Sequence, residues 1–163
     1  LVILLDNNEL LLVRRKDTNQ LATMGGFVNV GETIEQAVRR ELQEETGLII
    51  PYHEPLLRLF GIYSDPRRDN RRHTASAAFA VHLDGSVNGQ PKAADDVKEI
   101  VRIPLSAIDQ YDFFSDHKTI LMDYRSLLQG TNDPSAFVVS DGDFAPDIAR
   151  SVCRITPEKK AVI

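Results

Sequence analysis

The sequence predicts an α/β domain, on three observations. Short apolar runs separated by turn residues recur along residues 1–105, as strands do. Residues 34–46 lack Pro and Gly, are rich in helix formers and have a capping residue at each end. A second helical pattern lies within Tyr111 to Leu128, where Phe114, His117, Ile120, Leu121, Tyr124 and Leu128 recur at spacings of three and four. The 163 residues suit one domain with a full core, and 42% apolar with 26% charged residues is ordinary for a globular protein.

Leu1 to Leu5 and Glu9 to Arg14 read as strands joined by a tight turn at Asp6-Asn7-Asn8. The second strand runs into Arg14-Arg15-Lys16, either a solvated strand end or a contact for substrate phosphate. Leu21 to Met24 leads to the paired glycines Gly25-Gly26, which permit close backbone approach. Phe27-Val28 reads as a short strand before a turn from Asn29 to Glu32. Thr33 is a good N-cap with Gln36 three residues on, a capping box, and Gly47 ends the helix in a left-handed turn.

On a helical wheel Ile34, Ala37, Val38 and Leu42 form the apolar face, with Thr46 off it. Glu41 and Glu45 fall inside the same arc and Glu44 lies on its edge. Paired glutamates on a helix are ordinarily solvated. Here they occupy the face that should enter the core, where charge is costly unless paired or metal-bound. A divalent cation would relieve their mutual repulsion, and oxygen-only ligands suit Mg²⁺ or Mn²⁺ better than Zn²⁺.

Past the helix, Pro51 and Pro55 keep the chain irregular, Leu56 to Ser64 reads as a strand, and Thr74 to Leu83 as a central strand. Between them, Ser64 to His73 carries Arg67, Arg68, Arg71 and Arg72. Guanidinium forks match phosphate and carboxylate geometry, so this run is either an ion-paired solvated loop or a substrate reader. Asp84 to Lys92 is a polar loop, Val101 to Ile103 a strand, and Leu105 to Ile108 a short turn. Ser115 or Asp116 caps the second helix, and His117 reads as a packing residue rather than a ligand. Beyond Gly130, Phe137-Val138-Val139 and Ser151 to Ile155 are candidate short strands. Asp141-Gly142-Asp143 matches only a fragment of a calcium loop and is discounted, and Lys159-Lys160 reads as a solvated end.

A net charge of −5 argues against broad nucleic-acid binding. No run of 18 apolar residues is present to span a membrane. A single cysteine, Cys153, excludes an internal disulfide framework and fits a reducing, cytoplasmic setting. The chain opens at Leu1 directly on a strand-like run, which leaves room for an upstream targeting segment.

The stretch Gly26 to Leu48 resembles the signature of the Nudix hydrolases: Gly, five residues, Glu, seven residues, then Arg-Glu-apolar-x-Glu-Glu-x-Gly-apolar. Gly26, Glu32, Arg40, Glu41, Leu42, Glu44, Glu45, Gly47 and Leu48 fill every fixed position. Tyr63-Ser64-Asp65-Pro66, Arg68-Asp69, Arg72-His73 and Phe114 to Lys118 resemble the ADP-ribose pyrophosphatase branch, with Asn70 where that branch often has proline.

The resemblance implies an α/β/α sandwich with a mixed sheet over residues 1–130; it offers nothing for 131–163, which read as an extension of unknown role packed on the same domain. It also implies Mg²⁺-dependent hydrolysis of ADP-ribose to AMP and ribose 5-phosphate. Glu41, Glu45 and the Gly26 carbonyl are then the expected ligands of the principal ion, with Glu44 on a second. The box acids or Asp95 and Asp96 would accept the proton. Arg14, Arg67, Arg68, Arg71 and Arg72 would bind phosphates or the terminal ribose, and Phe27, Phe60 or Tyr63 the adenine. Glu32, Arg40 and Gly47 would shape the loop–helix unit, with Glu99 paired to Arg40. A homodimer fits the branch. Rival readings are hydrolysis of other nucleoside diphosphate derivatives or oxidised nucleoside triphosphates, and a non-catalytic nucleotide-binding module.

Overall fold

The structure is a computed structural model that describes residues 1–50, 57–83 and 97–130, together with the backbone of 136–140 and 152–154. The expectations for Pro51, Pro55, Leu56, the Asp84 to Lys92 loop, Asp95, Asp96, Asp141 to Asp143 and Lys159-Lys160 lie outside those residues.

Strands β1 (Val2–Leu5) and β2 (Glu9–Arg15) form the expected hairpin, with Asn8 at φ 58° and its N–H on the Leu5 carbonyl at 2.9 Å. A two-residue β3 (Leu21–Ala22) precedes α1 (Ile34–Thr46). Then come β4 (Arg58–Tyr63), β5 (Ser76–Leu83), β6 (Val97–Pro104), a 3-10 turn (Leu105–Gln110) and α2 (His117–Gly130). The backbone of β7 (Ala136–Ser140) and β8 (Val152–Arg154) completes the sheet. Strand β6 is longer than its sequence signal because Val97 to Pro104 pairs along nearly all of β2, from Arg15 to Glu9.

The sheet runs β2-β1-β5-β4-β7-β8; β3 pairs with the end of β2 on the same edge as β1, and β6 pairs along the opposite edge of β2. It is mixed: β1 with β5 and β4 with β7 are parallel, and the other pairs are antiparallel. Both faces of the sheet are covered, which is why the first strands read as unbroken apolar runs. Val2, Leu4, Leu10 and Leu12 pack with Ile108, Leu121 and Tyr124 on the α2 side. Ile3, Leu11 and Val13 pack with Leu42, Leu48 and Val81 on the α1 side. The three layers are the α/β/α arrangement that the resemblance implies.

The strand directions decide where the site sits. Because β1 parallels β5 while β2 and β4 oppose them, Arg15, Tyr63 and Ser76 lie at one end of the sheet. The β2–β3 turn and the β4–β5 loop leave from that end. Asp112 to Phe114 joins them there, since Leu21 donates to the Asp112 carbonyl and Phe114 to the Leu21 carbonyl.

Two expectations fail locally. Phe27-Val28 forms no strand; the segment is exposed, and Arg40 takes the Phe27 carbonyl that a neighbouring strand would need. Neither Ser115 nor Asp116 caps α2 with its side chain, because both are bonded to Arg68.

His117 is the packing residue expected. Its Nδ1 accepts from the Thr23 backbone N–H at 3.0 Å and lies 3.1 Å from the Thr23 hydroxyl, which puts the ring proton on Nε2. Phe114 meets the ring edge-on at 5.7 Å. Burial of the ring lowers its pKa from 6.5 to about 4. Between these values the unfolded chain binds the proton and the native chain does not, so stability rises with pH across this window. Wild type is therefore expected to lose on the order of 2 kcal/mol more than His117→Asn between pH 6.5 and pH 4, in urea unfolding followed by circular dichroism. Equal losses in the two proteins would contradict a neutral His117.

Candidate active site

The loop before α1 and the helix itself are built as one unit. The Thr33 hydroxyl accepts from Gln36 N–H at 3.2 Å, and the Gln36 side-chain Oε1 accepts from Thr33 N–H at 2.7 Å, closing the capping box. Gly47, at φ 72°, donates to the Gln43 carbonyl at 2.8 Å and ends the helix. In the loop, Gly25 (φ 147°) and Gly31 (φ 91°) take conformations that strain other residues.

The helical wheel is corrected at two positions. Ile34 is exposed, because the first turn of α1 projects past the core beside the exposed loop. Thr46 is buried, because its hydroxyl donates to the Leu42 carbonyl at 2.6 Å and accepts from Leu48 N–H at 3.1 Å.

Arg40 joins loop to helix. Nε and Nη2 reach the two oxygens of Glu32 at 3.1 and 2.7 Å, and Nη2 also reaches the Phe27 carbonyl at 2.9 Å. Nη1 reaches Glu41 at 2.6 Å and Glu44 at 3.0 Å. These bonds engage every N–H of the guanidinium, a fork that lysine cannot reproduce. Glu32 also accepts from Asn29 N–H at 2.7 Å. Its carboxyl is held below its ordinary pKa by Arg40 first and by Asn29 N–H second. Glu99, expected beside Arg40, bonds instead to Arg14 Nε at 2.6 Å, because the β2–β6 register sets those two residues opposite each other.

The acids meet the glycines. The Glu41 carboxylate lies so close over Gly26 that a Cβ there would overlap it. Glu45 accepts from Gly25 N–H at 3.0 Å. Glu41 is mostly buried while Glu44 is exposed. One guanidinium thus faces Glu32, Glu41 and Glu44, and an excess of negative charge is left on this side of the helix. Among the described residues, no three His, Cys, Asp or Glu side chains already converge as a cation site, since Glu41 and Glu44 turn to Arg40 and Glu45 to Gly25. A groove of about 460 Å³ runs along another flank of α1, past Gln36, Arg39, Gln43 and Ile49. Glu32 and Arg40 also line it, while Glu41, Glu44 and Glu45 do not, so the groove borders the loop–helix unit on the side away from those three acids.

The arginines divide. Arg68 is nearly buried and is held by Asp116 at 2.8 and 2.9 Å and by the Thr74 hydroxyl at 3.1 Å, so it holds the loop rather than a ligand. Arg67 and Arg71 are exposed and pair with Asp65 and Asp69 of their own loop. The Arg72 guanidinium lies 5.1 Å from the centre of the exposed Phe27 ring, which brings the loop against the Gly26 segment. Arg14, partly buried, bonds Glu99 and the Asn19 carbonyl. Tyr63 and Phe60 are corrected as adenine contacts. Both are core residues, Tyr63 with its hydroxyl on Asp123 at 3.3 Å and Phe60 against the Tyr124 ring at 5.2 Å.

Asp116 and Phe114 are the contacts that sequence reasoning missed. Asp116 drew attention as a helix cap and as part of the Phe114 to Lys118 resemblance, and nothing local marks a partner 48 residues away.

The NUDIX domain family matches residues 1–124. The chain is 41% identical over 127 residues to an ADP-ribose pyrophosphatase of Methanocaldococcus jannaschii, covering 76% of this chain and 70% of that protein. It is 50% identical over 52 residues to the 8-oxo-dGTP diphosphatase of Escherichia coli, covering 29% of this chain and 40% of that one. Among solved structures, a bifunctional NMN adenylyltransferase/ADP ribose pyrophosphatase of Francisella tularensis superposes with a TM-score of 0.66 at 30% identity. That match covers 79% of this chain and 39% of the Francisella chain.

Gly26→Ala forces the Glu41 carboxylate off its present position. The variant is expected to fold and to bind Mn²⁺ at least about tenfold more weakly than wild type in an electron paramagnetic resonance titration. Unchanged affinity would mean that Glu41 has no part in binding the ion.

Proposed function

This chain belongs to the Nudix family, and we propose from that premise that it hydrolyses the pyrophosphate bond of ADP-ribose to AMP and ribose 5-phosphate. The observation that carries this reading is the 41% identity, over 127 residues, to an archaeal protein named for that activity.

The cofactor in this reading is Mg²⁺ or Mn²⁺, held by Glu41, Glu44, Glu45 and the Gly26 carbonyl. The residues fit it on three counts: the donors are all oxygen, Gly26 has no Cβ where the Glu41 carboxylate lies, and carboxylates outnumber the one guanidinium among them. When bound, the ion neutralises pyrophosphate charge and makes water acidic enough to act as nucleophile. The protein's own part is to place groups. Arg40 and Glu32 fix the loop against the helix, and Gly26 lies beneath the Glu41 carboxylate. A carboxylate accepts the proton from the attacking water, either from the box or from Asp95 or Asp96.

Arg72, Arg71 and Arg67 are the candidate readers of the phosphates and terminal ribose. Exposed ion pairs such as Arg67–Asp65 and Arg71–Asp69 contribute little and exchange readily for a phosphate partner. Phe27, with 59% of its surface exposed, presents a ring for adenine. Residues 1–130 are the catalytic domain in this reading, with 131–163 an extension that joins the sheet through β7 beside β4.

A second reading rests on the similarity to the Escherichia coli 8-oxo-dGTP diphosphatase. It uses the same acidic helix but has no need of the arginine loop. The discriminating experiment is a Mg²⁺ reaction with ADP-ribose, NADH, diadenosine polyphosphates, ADP-glucose and 8-oxo-dGTP, with products identified chromatographically. ADP-ribose is expected to be preferred, yielding AMP and ribose 5-phosphate, with turnover stopped by chelation. Glu45→Gln is expected to lower the rate by on the order of a hundredfold or more. Preference for 8-oxo-dGTP with release of pyrophosphate would overturn the substrate assignment and keep the metal helix. Binding without turnover in wild type would leave a nucleotide-binding module.

A further inference from the structure

Three consecutive residues ahead of α2 grip the arginine loop. Phe114 carries the guanidinium of Arg71 at 5.6 Å from its ring centre, and that of Arg15 at 4.1 Å. Ser115, at φ 52°, donates its hydroxyl to the Arg68 carbonyl. Asp116 accepts Arg68 Nε and Nη2 on its two oxygens at 2.8 and 2.9 Å, while Nη1 returns to Thr74 of the same loop. The Arg68 side chain is only 6% exposed, unlike Arg67 and Arg71 at 66% and 57%.

The grip is itself anchored. Phe114 N–H bonds the Leu21 carbonyl at 2.9 Å, and Leu21 N–H bonds the Asp112 carbonyl at 3.1 Å, so the segment lies along β3. At its far side the loop carries Arg72 to the Phe27 ring, and the Phe27 carbonyl is bonded by Arg40. Contacts therefore run from the start of α2, through the arginine loop, to the acidic helix. The forks of Arg67 on Asp65 and Arg71 on Asp69 stay within the loop, whereas the buried Arg68–Asp116 fork ties the loop to the start of α2 and so fixes its direction as well as its distance.

We propose that Asp116 is a positioning residue for substrate: by clamping Arg68 it holds Arg71 and Arg72 where they meet the phosphate and terminal sugar of a nucleoside diphosphate sugar. The inference rests on the reading under "Proposed function". Asp116 touches no substrate; it sets the loop that does. Asp116→Asn keeps the side chain's size and removes the charge that fixes Arg68, and misplaced binding groups then appear as weaker substrate binding.

The test is steady-state kinetics on ADP-ribose with Mg²⁺, alongside a thermal melt, for wild type, Asp116→Asn and Ser115→Gly. The last keeps the left-handed backbone and removes only the hydroxyl on Arg68. Asp116→Asn is expected to raise KM about tenfold while kcat stays within about threefold, and Ser115→Gly to shift KM the same way by less. A role confined to folding would lower kcat with the active fraction and leave KM at its wild-type value. Wild-type KM in both variants overturns the inference while the activity assignment stands. If Asp116→Asn does not fold, KM in Ser115→Gly decides alone. A wild type that does not hydrolyse ADP-ribose overturns the activity assignment, and this inference with it.

Discussion

One guanidinium holds the acidic helix and the glycine loop in a single piece. Arg40 takes the Phe27 carbonyl and Glu32 from the loop, and Glu41 and Glu44 from the helix. Without it, Glu32, Glu41 and Glu44 would lose their common partner, and the Gly25–Glu45 bond would be left to tie the glycine loop to the acidic edge. The pairing also explains how acids tolerate the core-facing side of α1: each has a partner, with Glu41 and Glu45 partly buried and Glu44 exposed. Arginine is required because the partners lie in several directions around one plane, and a lysine has too few fixed donors to meet them.

The sheet supplies what the loop–helix unit lacks. Helices on both faces cover the central strands, so the hydrophobic core holds the register of β1, β2 and β5. That register, with its mixture of parallel and antiparallel pairs, sends the β2–β3 turn, the β4–β5 loop and the start of α2 to one end. Arg15, Phe114, Arg71, Arg68 and Asp116 meet there although they come from separate stretches of sequence. Arg72 then closes the distance to Phe27. Local chemistry fixes the acidic helix, and topology brings the arginines to it.

The misreadings have the same physical source. Tyr63 and Phe60 looked available because an aromatic residue near a polar run suits a base; their burial depends on α2, which packs from more than fifty residues away. Arg68 looked like its neighbours in the run, and only Asp116 separates it from them. Glu99 was matched to Arg40 by resemblance, while the β2–β6 register gives it to Arg14. Thr46 was set off the apolar face by its wheel position, and its burial is possible because its hydroxyl is bonded within the helix end.

Sequence alone determined whatever depends on neighbours in the chain. The capping box at Thr33 and Gln36, the left-handed stop at Gly47, the hairpin at Asn8 and the acidic edge from Glu41 to Glu45 all follow from contacts a few residues long. Backbone propensity and capping act over that range, so the residues themselves specify the outcome. Tertiary structure decided which charged groups are fixed in place and which remain exposed. Arg68 with Asp116, Arg14 with Glu99, and Arg72 with Phe27 are pairings across strands and layers. A guanidinium bonds equally well to any carboxylate in reach, and only the packed sheet determines which one that is.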